Sequence, residues 1–143
     1  MQIVSRSAKT TQKLAKLLAK ETIKHKTKKN ALIIGLVGDL GSGKTTFIQG
    51  FGRGLGIKNN LTSPTFLIFC SYKLSTTNYN LLYHVDCYRL KKSKELHGLD
   101  FKEIITNPEN IVLIEWADKI KRLLPKKVLW INFNHGKRAN ERI

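Results

Sequence analysis

Cysteine and long apolar runs are both scarce in this sequence, and each shortage excludes a class of protein. The two cysteines, Cys70 and Cys87, fall in separate predicted strands and form no CxxC or Cys/His grouping, so we expect reduced thiols and neither a zinc site nor a disulfide. No apolar run approaches the roughly 20 residues that a membrane-spanning helix needs. The N-terminus also lacks the apolar core and cleavage site of a signal peptide, so we expect a cytoplasmic protein without a membrane partner.

Acidic residues are also few, since 10 Asp and Glu stand against 26 Lys and Arg, which gives a net charge of +16. Such an excess attracts polyanions, and RNA is the obvious candidate. The alternative is that abundant lysine, asparagine and isoleucine reflect an A- and T-rich coding sequence, and the lysines then only solvate the surface. No RNA-reading motif, such as an aromatic RNP segment or a GXXG loop, accompanies the charge. Both interpretations therefore stay open.

The chain length sets the domain organisation. A chain of 143 residues is long enough for one hydrophobic core but leaves no room for a separate substrate domain. We predict a single domain over residues 1–143, acting on a small molecule or on another macromolecule.

The most informative segment is residues 38–45, GDLGSGKT, which matches the phosphate-loop pattern GxxxxGK[ST] at every fixed position. An apolar, partly β-branched run precedes it over residues 31–37, as expected for a buried strand. Residues 45–51 follow with apolar side chains at helical spacing. Strand, loop and helix are thus in the order that phosphate binding requires. A glycine-rich turn without a ligand is the alternative, but it does not need lysine and threonine in this order.

The residues of this loop have separate chemical roles. Glycines permit backbone conformations closed to other residues, so that successive N–H groups turn toward phosphate oxygens at the start of a helix. Lys44 is predicted to reach the β and γ phosphates, and the Thr45 hydroxyl to ligate the bridging magnesium. The predicted nucleotide-binding residues are Asp39, Leu40, Gly41, Ser42, Gly43, Lys44, Thr45 and Thr46.

The remaining pattern predicts an α/β domain with a mixed sheet. Residues 66–72 and 81–86 are predicted strands whose connection is too short for a crossover helix, so they should form an antiparallel hairpin. Residues 111–114 and 128–133 are two further predicted strands.

Predicted helices flank this sheet. Ser7 should cap a helix over about residues 8–24, whose apolar stripe is predicted to contain Leu14, Leu17, Leu18 and Ile23. Gly52 and Gly54 should end the helix that follows the phosphate loop, and Gly98 should separate two short helical pieces.

Two acids and one threonine complete the candidate site. Glu115 comes directly after the apolar strand at 111–114. In the second nucleotide motif, the acid that holds magnesium stands at the same place, at the end of an apolar strand. Asp86 ends another strand and should lie at the same sheet edge, where ligands bind. Thr65, behind Pro64, could sense the γ phosphate and order a switch segment. The alternatives are strand-end caps for the two acids and a turn residue for Thr65.

Four motifs in this order resemble those of the TsaE (YjeE) family, small bacterial phosphate-loop ATPases required to make threonylcarbamoyladenosine in certain tRNAs. The motifs are GDLGSGKT at 38–45, SPTF at 63–66, HVDCYR at 84–89 and IEW at 114–116. The resemblance implies a phosphate-loop NTPase fold, a three-layer sandwich with a mixed parallel and antiparallel sheet. The chain departs from the family pattern at Ala117 and Asp118, where proline and glutamate are common, and in its short C-terminal tail.

The resemblance also implies cofactors, roles and partners. ATP or ADP and Mg²⁺ are the implied cofactors, with Lys44 as the phosphate lysine and Thr45, Asp86 and Glu115 as the metal environment. TsaD and TsaB, whose complex transfers the threonylcarbamoyl group, are the implied partners. tRNA would be reached through that complex or through the basic surface.

The predicted function is that of a slow, magnesium-dependent ATPase. Its partners would stimulate it, and it would support TsaD–TsaB turnover. Asp86 or Glu115 would position the attacking water, and Thr65 would report the γ phosphate. One rival is a small-molecule kinase, which would need an acceptor pocket and an arginine-bearing lid. The other is a basic RNA-binding module that uses nucleotide as a switch. A regulatory GTPase is disfavoured, because neither an NKxD nor a DxxG motif follows the loop.

Overall fold

The computed structural model describes residues 1–26, 29–59, 61–62 and 69–136, apart from the side chains at positions 93 and 97. The helices are α1 (Ala8–Thr22), α2 (Lys44–Gly54) and α3 (Phe101–Thr106), with 3₁₀ helices at Ser93–Leu99 and Ala117–Leu123. The strands are β1 (Leu32–Gly38), β2 (Phe69–Lys73), β3 (Leu81–Asp86), β4 (Asn110–Glu115) and β5 (Leu129–Phe133). Within these ranges, none of the helices is long and apolar enough to cross a bilayer.

The five strands form one mixed sheet in the order β2-β3-β4-β1-β5. Strands β2 and β3 pair antiparallel, while the β3–β4, β1–β4 and β1–β5 pairs are parallel. The predicted hairpin and mixed sheet are therefore confirmed. The first part of the predicted hairpin, residues 66–68, lies outside the described residues.

Helices cover both faces of the sheet and make three layers, as predicted. Ile34 of β1 packs on one side in a cluster with residues of α1 and α2, including Phe51. Ile33, next to it in the strand, packs on the other side with Phe101 and Ile104 of α3. Adjacent side chains of a strand point to opposite faces, so both faces need apolar residues. This explains why β4 is buried along its whole length and is almost continuously apolar.

Helix α1 begins as predicted but buries a different face. The Ser7 Oγ accepts a hydrogen bond from the Thr10 backbone N–H at 3.1 Å and caps the helix. The buried residues are the small Thr11, Ala15 and Ala19, whereas Leu17 is 61% exposed. The predicted place of Leu17 in the apolar stripe is wrong, because α1 approaches α2 too closely for a large side chain at the contact. Leu14, Leu18 and Ile23 are partly buried.

Two glycines of α2, Gly50 and Gly54, allow this close approach of α1. A Cβ at Gly50 would stand 2.4 Å from the backbone oxygen of Gln12, and one at Gly54 2.8 Å from that of Lys16. The helix runs on through Gly52 to Gly54, and the turn follows at Gly56, where φ is 85°. The helix ends at Gly54, as predicted, but the prediction that Gly52 ends it is wrong. Gly52 lies inside the helix and makes room for Leu61, whose Cδ1 would stand 2.5 Å from a Cβ there.

Gly98 was also predicted to be a break, and this prediction is wrong. The 3₁₀ helix Ser93–Leu99 runs through it, and the break falls two residues later at Asp100, which has φ 55° and ψ 27°. Aspartate tolerates this left-handed conformation better than most residues, because its short polar side chain can form local hydrogen bonds.

Gly50→Ala should destabilise the protein by roughly 1–3 kcal/mol, because its new methyl group would overlap backbone atoms of Gln12 that cannot rotate away. The higher helix propensity of alanine offsets part of this cost. Gly98→Ala is the matched control, since a Cβ there meets nothing within 4 Å. Urea unfolding of both variants measures the difference. Equal midpoints would contradict the close α1–α2 contact.

Candidate nucleotide site

The phosphate loop joins the end of β1 to the start of α2. Gly41 and Gly43 have φ of 74° and 107°, a left-handed region that favours glycine. Gly43 is the N-cap of α2, whose first turn receives no side-chain cap and carries no acidic residue. The backbone N–H groups of this turn therefore face no competing anion from the helix itself. A helix start of this kind favours phosphate.

Lys44 is buried inside the loop and is only 5% exposed. Its Nζ donates hydrogen bonds to the backbone oxygens of Gly38 and Asp39, and to Ser42 Oγ at 3.3 Å. The ammonium also lies 4.4 Å from the centre of the Trp116 ring. Burial lowers the pKa of Lys44, and the neighbouring Glu115 carboxylate opposes that shift. The loop thus holds the cation in position for an anion.

The structure brings Asp86 and Glu115 together at the carboxyl ends of β3 and β4. The two residues are partners in the parallel register of these strands, as their positions at one sheet edge led us to expect. The Thr45 hydroxyl, on the first turn of α2, donates to Glu115 Oε1 at 3.1 Å. Three separate elements therefore place a hydroxyl and two carboxyl groups side by side.

His84 is a member of the site to which sequence reasoning assigned no role. It is fully buried, and its Nε2 lies 2.8 Å from Glu115 Oε2. Burial disfavours the charged ring, but contacts with Cys70 and Glu115 outweigh it and raise the pKa of His84 to about 9. The Glu115 carboxylate can only accept, so the Nε2–H of His84 donates this hydrogen bond. The signal available in sequence was its position two residues before Asp86, on the same face of a strand.

Asp86 is less constrained than Glu115. Its Oδ1 accepts a hydrogen bond from the Tyr88 backbone N–H at 2.9 Å, its only hydrogen bond to the described residues. Burial raises the pKa of Asp86, and the nearby Glu115 charge adds to this effect. One carboxylate oxygen of Asp86 is thus left for a ligand or water.

Aromatic rings form one wall of the site. Trp116 has φ 57°, a left-handed backbone conformation that is unusual for a large residue. Its ring lies 5.2 Å from that of Tyr88, and the Lys119 ammonium lies within 6 Å of both ring centres. This wall holds the Trp116 indole over Lys44.

A cavity of about 610 Å³ opens between these groups, a size typical of small-ligand sites. Its opposite side is formed by the start of α1, through Ser7, Ala8 and Thr11. Sequence reasoning missed this contribution. The cluster of hydroxyl residues around the helix start was the available signal, and within it Ser5 Oγ and Thr11 Oγ1 are hydrogen-bonded at 2.7 Å.

Most of the predicted residues line this one cavity. They are Leu40, Gly41, Gly43, Lys44, Thr45, Thr46, Asp86 and Glu115. Asp39 and Ser42 contribute through Lys44, which donates hydrogen bonds to the Asp39 backbone oxygen and to the Ser42 hydroxyl. Thr65 lies outside the described residues, so its role stays a prediction.

The oxygen groups of the site fit magnesium. A hydroxyl and carboxylates are the hard donors that Mg²⁺ prefers, and this ion takes the rest of its shell from water and phosphate. Among the described residues, no cluster of three or more His, Cys, Asp or Glu could hold a metal by itself. Thr45, Asp86 and Glu115 are therefore suited to share an ion with a bound nucleotide.

Comparison with known proteins finds similar sequences that are described as TsaE. A family model for the threonylcarbamoyl adenosine biosynthesis protein TsaE matches residues 5–143. The tRNA threonylcarbamoyladenosine biosynthesis protein TsaE of Rickettsia felis is 38% identical over 131 residues, which are 91% of this chain and 70% of that protein. The corresponding protein of Haemophilus influenzae is 33% identical over 123 residues, 86% and 75% of the two chains. The crystal structure of Bacillus subtilis YdiB, 31% identical, superposes with a TM-score of 0.68 over 99% of this chain and 80% of that one.

Proposed function

The chain belongs to the TsaE family of threonylcarbamoyl adenosine biosynthesis proteins, and from that premise we propose that it is a magnesium-dependent ATPase required for threonylcarbamoyladenosine modification of tRNA. One observation carries the ATPase assignment. Lys44, Thr45, Asp86 and Glu115 come from α2, β3 and β4, and all line one cavity beside the phosphate loop. Phosphoryl chemistry needs this combination of cation, metal ligands and water-positioning acid.

The loop and Lys44 bind the phosphates. The first-turn N–H groups of α2 point along the helix axis toward the cavity, and the helix dipole adds positive potential there. Lys44 exchanges its hydrogen bonds to the Gly38 and Asp39 carbonyls for contacts with β- and γ-phosphate oxygens. Its ammonium then stabilises the negative charge that shifts during phosphate transfer.

Thr45 and Glu115 are the residues that would hold magnesium, which would supply positive charge to offset the negative charge of the phosphates. Glu115 is oriented from both sides, because one oxygen accepts from Thr45 and the other from His84. Such outer contacts of a ligand carboxylate set its direction and restrict its rotation. His84 is accordingly a positioning residue in this proposal.

Asp86 is the group we propose for placing the attacking water. Glu115 has both carboxylate oxygens engaged in hydrogen bonds, whereas Asp86 uses only Oδ1 toward the part of the chain that the structure describes. Its second oxygen remains available to accept a proton of a water molecule at the cavity wall. The choice between the two acids, which sequence left open, thus favours Asp86.

TsaD and TsaB are the proposed partners, in the cytoplasm, because family membership implies their complex. Two large apolar side chains at the cavity support a partner that covers it, since Leu40 is 72% exposed and Tyr88 49% exposed. Exposed apolar groups of this kind mark interaction sites when they lie together. A partner covering them would also shield the nucleotide from water.

Phosphate release from ATP tests the proposal, measured with magnesium for the protein alone and after TsaD and TsaB are added. We expect slow release by the protein alone and faster release with both partners. Transfer of the phosphate to a small-molecule acceptor would favour the kinase instead. RNA binding without any turnover would favour the nucleotide-switched RNA module.

A further inference from the structure

Four lysines form a single row along the exposed side of α1. Lys9, Lys13, Lys16 and Lys20 are spaced by four, three and four residues, and all are exposed. At 100° per residue these positions fall within about 60° of one another, and the row is about 16 Å long. Arg53 of α2 lies beside it and donates to Gln12 at 3.2 Å. We call these four lysines the α1 lysine row.

Acidic groups are almost absent around this row. Over the described residues 5–26 and 44–59, which include α1 and α2, the single acid is Glu21, and it pairs with Lys24. None of the four lysines has an acidic partner in the described structure. The opposite layer mixes both signs and carries Glu95, Asp100, Glu103 and Asp118. The layer of α1 and α2 therefore carries positive charge that is almost unopposed.

The row costs stability, so the fold does not account for it. Like charges three or four residues apart on a helix repel one another, by about 0.2–0.5 kcal/mol for each pair. Lys9 lies in the first turn, where the helix dipole also disfavours a cation. Biased codon usage can raise the number of lysines, but it does not place four in one row without acids between them.

We propose that the α1 lysine row binds the phosphate backbone of structured RNA. A straight row of cations about 16 Å long can contact several successive phosphates of one strand. The row has lysines without interleaved aromatic residues, which suits backbone contact and not the reading of unpaired bases. tRNA is the first RNA to test because of the proposed function, and in that choice the inference rests on it. Binding of RNA to the row needs no ATP turnover.

RNA fits this face better than a lipid surface does. An amphipathic helix binds a membrane by burying its apolar side among lipids. The apolar side of α1 is already used, because Ala15 and Ala19 are buried against α2. Within α1 the one exposed large apolar side chain is Leu17, and it does not replace that side.

The test compares two triple variants that lose the same charge. The first is K13Q/K16Q/K20Q in the row, and Lys9 is kept because it adjoins the cavity residue Ala8. The control is K102Q/K126Q/K127Q, three exposed lysines of α3 and the loop before β5. Glutamine has nearly the helix propensity of lysine, so α1 should remain folded. The probe is a fluorescent, unmodified tRNA transcript, titrated with each protein at several salt concentrations.

The row variant should bind the transcript at least about tenfold more weakly than the wild type, with a salt slope smaller by about 2. The control should stay within about twofold of wild type, and an unlabelled RNA duplex should compete. Equal weakening of both variants, no binding by the wild type near physiological salt, or preference for phosphatidylserine vesicles over RNA would each overturn the proposal. ATP hydrolysis by the same proteins separates the two claims, since the row variant should keep the wild-type rate.

Discussion

Lys44→Ala is expected to lower the ATP hydrolysis rate at least about a hundredfold. Losses of this size are common when an enzyme loses one fixed hydrogen-bond donor that stabilises the charge developing in the transition state. Among the described residues that line the cavity, Lys44 is the one side-chain cation, and the loop carbonyls accept hydrogen bonds from its ammonium. Backbone N–H groups would remain to bind phosphate, but their partial charges do not replace a full ammonium charge. We therefore expect turnover to fall further than nucleotide affinity.

Steady-state phosphate release checks this loss, and Lys58→Ala is its control because Lys58 is exposed just beyond α2. Nucleotide binding can be followed separately by the emission of Trp116, whose ring lies 4.4 Å from the Lys44 ammonium. A Trp130→Phe background leaves Trp116 as the single tryptophan. Undiminished hydrolysis by the Lys44 variant would remove the ATPase assignment.

Glu115→Gln is expected to raise the magnesium concentration for half-maximal hydrolysis by about tenfold or more and to reduce the maximal rate. Glutamine keeps nearly the shape of glutamate and can still contact Thr45, but it lacks the charge that attracts the ion. The more drastic Glu115→Ala should also weaken magnesium dependence. Either change removes the carboxylate that faces the buried His84. Glutamine keeps an oxygen that can accept the hydrogen bond and alanine does not, so Glu115→Ala should destabilise the fold more, since a buried polar group left unpaired costs about 1–3 kcal/mol.

Magnesium titrations of hydrolysis measure the effect of Glu115→Gln, alongside thermal unfolding to show that the variant is folded. Asp118→Asn is the control, because it removes the same charge from an exposed residue whose field also reaches Lys44. We expect the control to change the magnesium requirement by less than about twofold, since Asp118 does not line the cavity. Indistinguishable titrations for the two variants would show that Glu115 is not a magnesium ligand.

Local sequence was sufficient for the parts of the site that lie in one segment. The phosphate loop needs glycines at positions with positive φ between a strand and a helix, and residues 38–45 supply them. The loop forms where it was predicted. The hairpin of β2 and β3 was also predictable, because its short connection excludes a crossover. In both cases the physical constraint acts between residues close together in the chain.

Helix packing could not be predicted in the same way. Gly50 and Gly54 are needed where the backbones of two helices meet, and a glycine in a sequence does not show whether it ends a helix or admits a neighbour. Leu17 is exposed for the same reason, since the contact distance between α1 and α2 decides which face of α1 is buried.

By itself, the sequence determined the phosphate loop, the mixed sheet and the excess of positive charge. Only the tertiary structure decided that His84 holds Glu115, that Trp116 covers Lys44 and that the start of α1 forms one side of the cavity. It also placed the unpaired lysines of α1 on the layer almost free of acids. The physical reason is that these contacts join residues far apart in the chain, and only packing of helices onto both faces of the sheet brings them together.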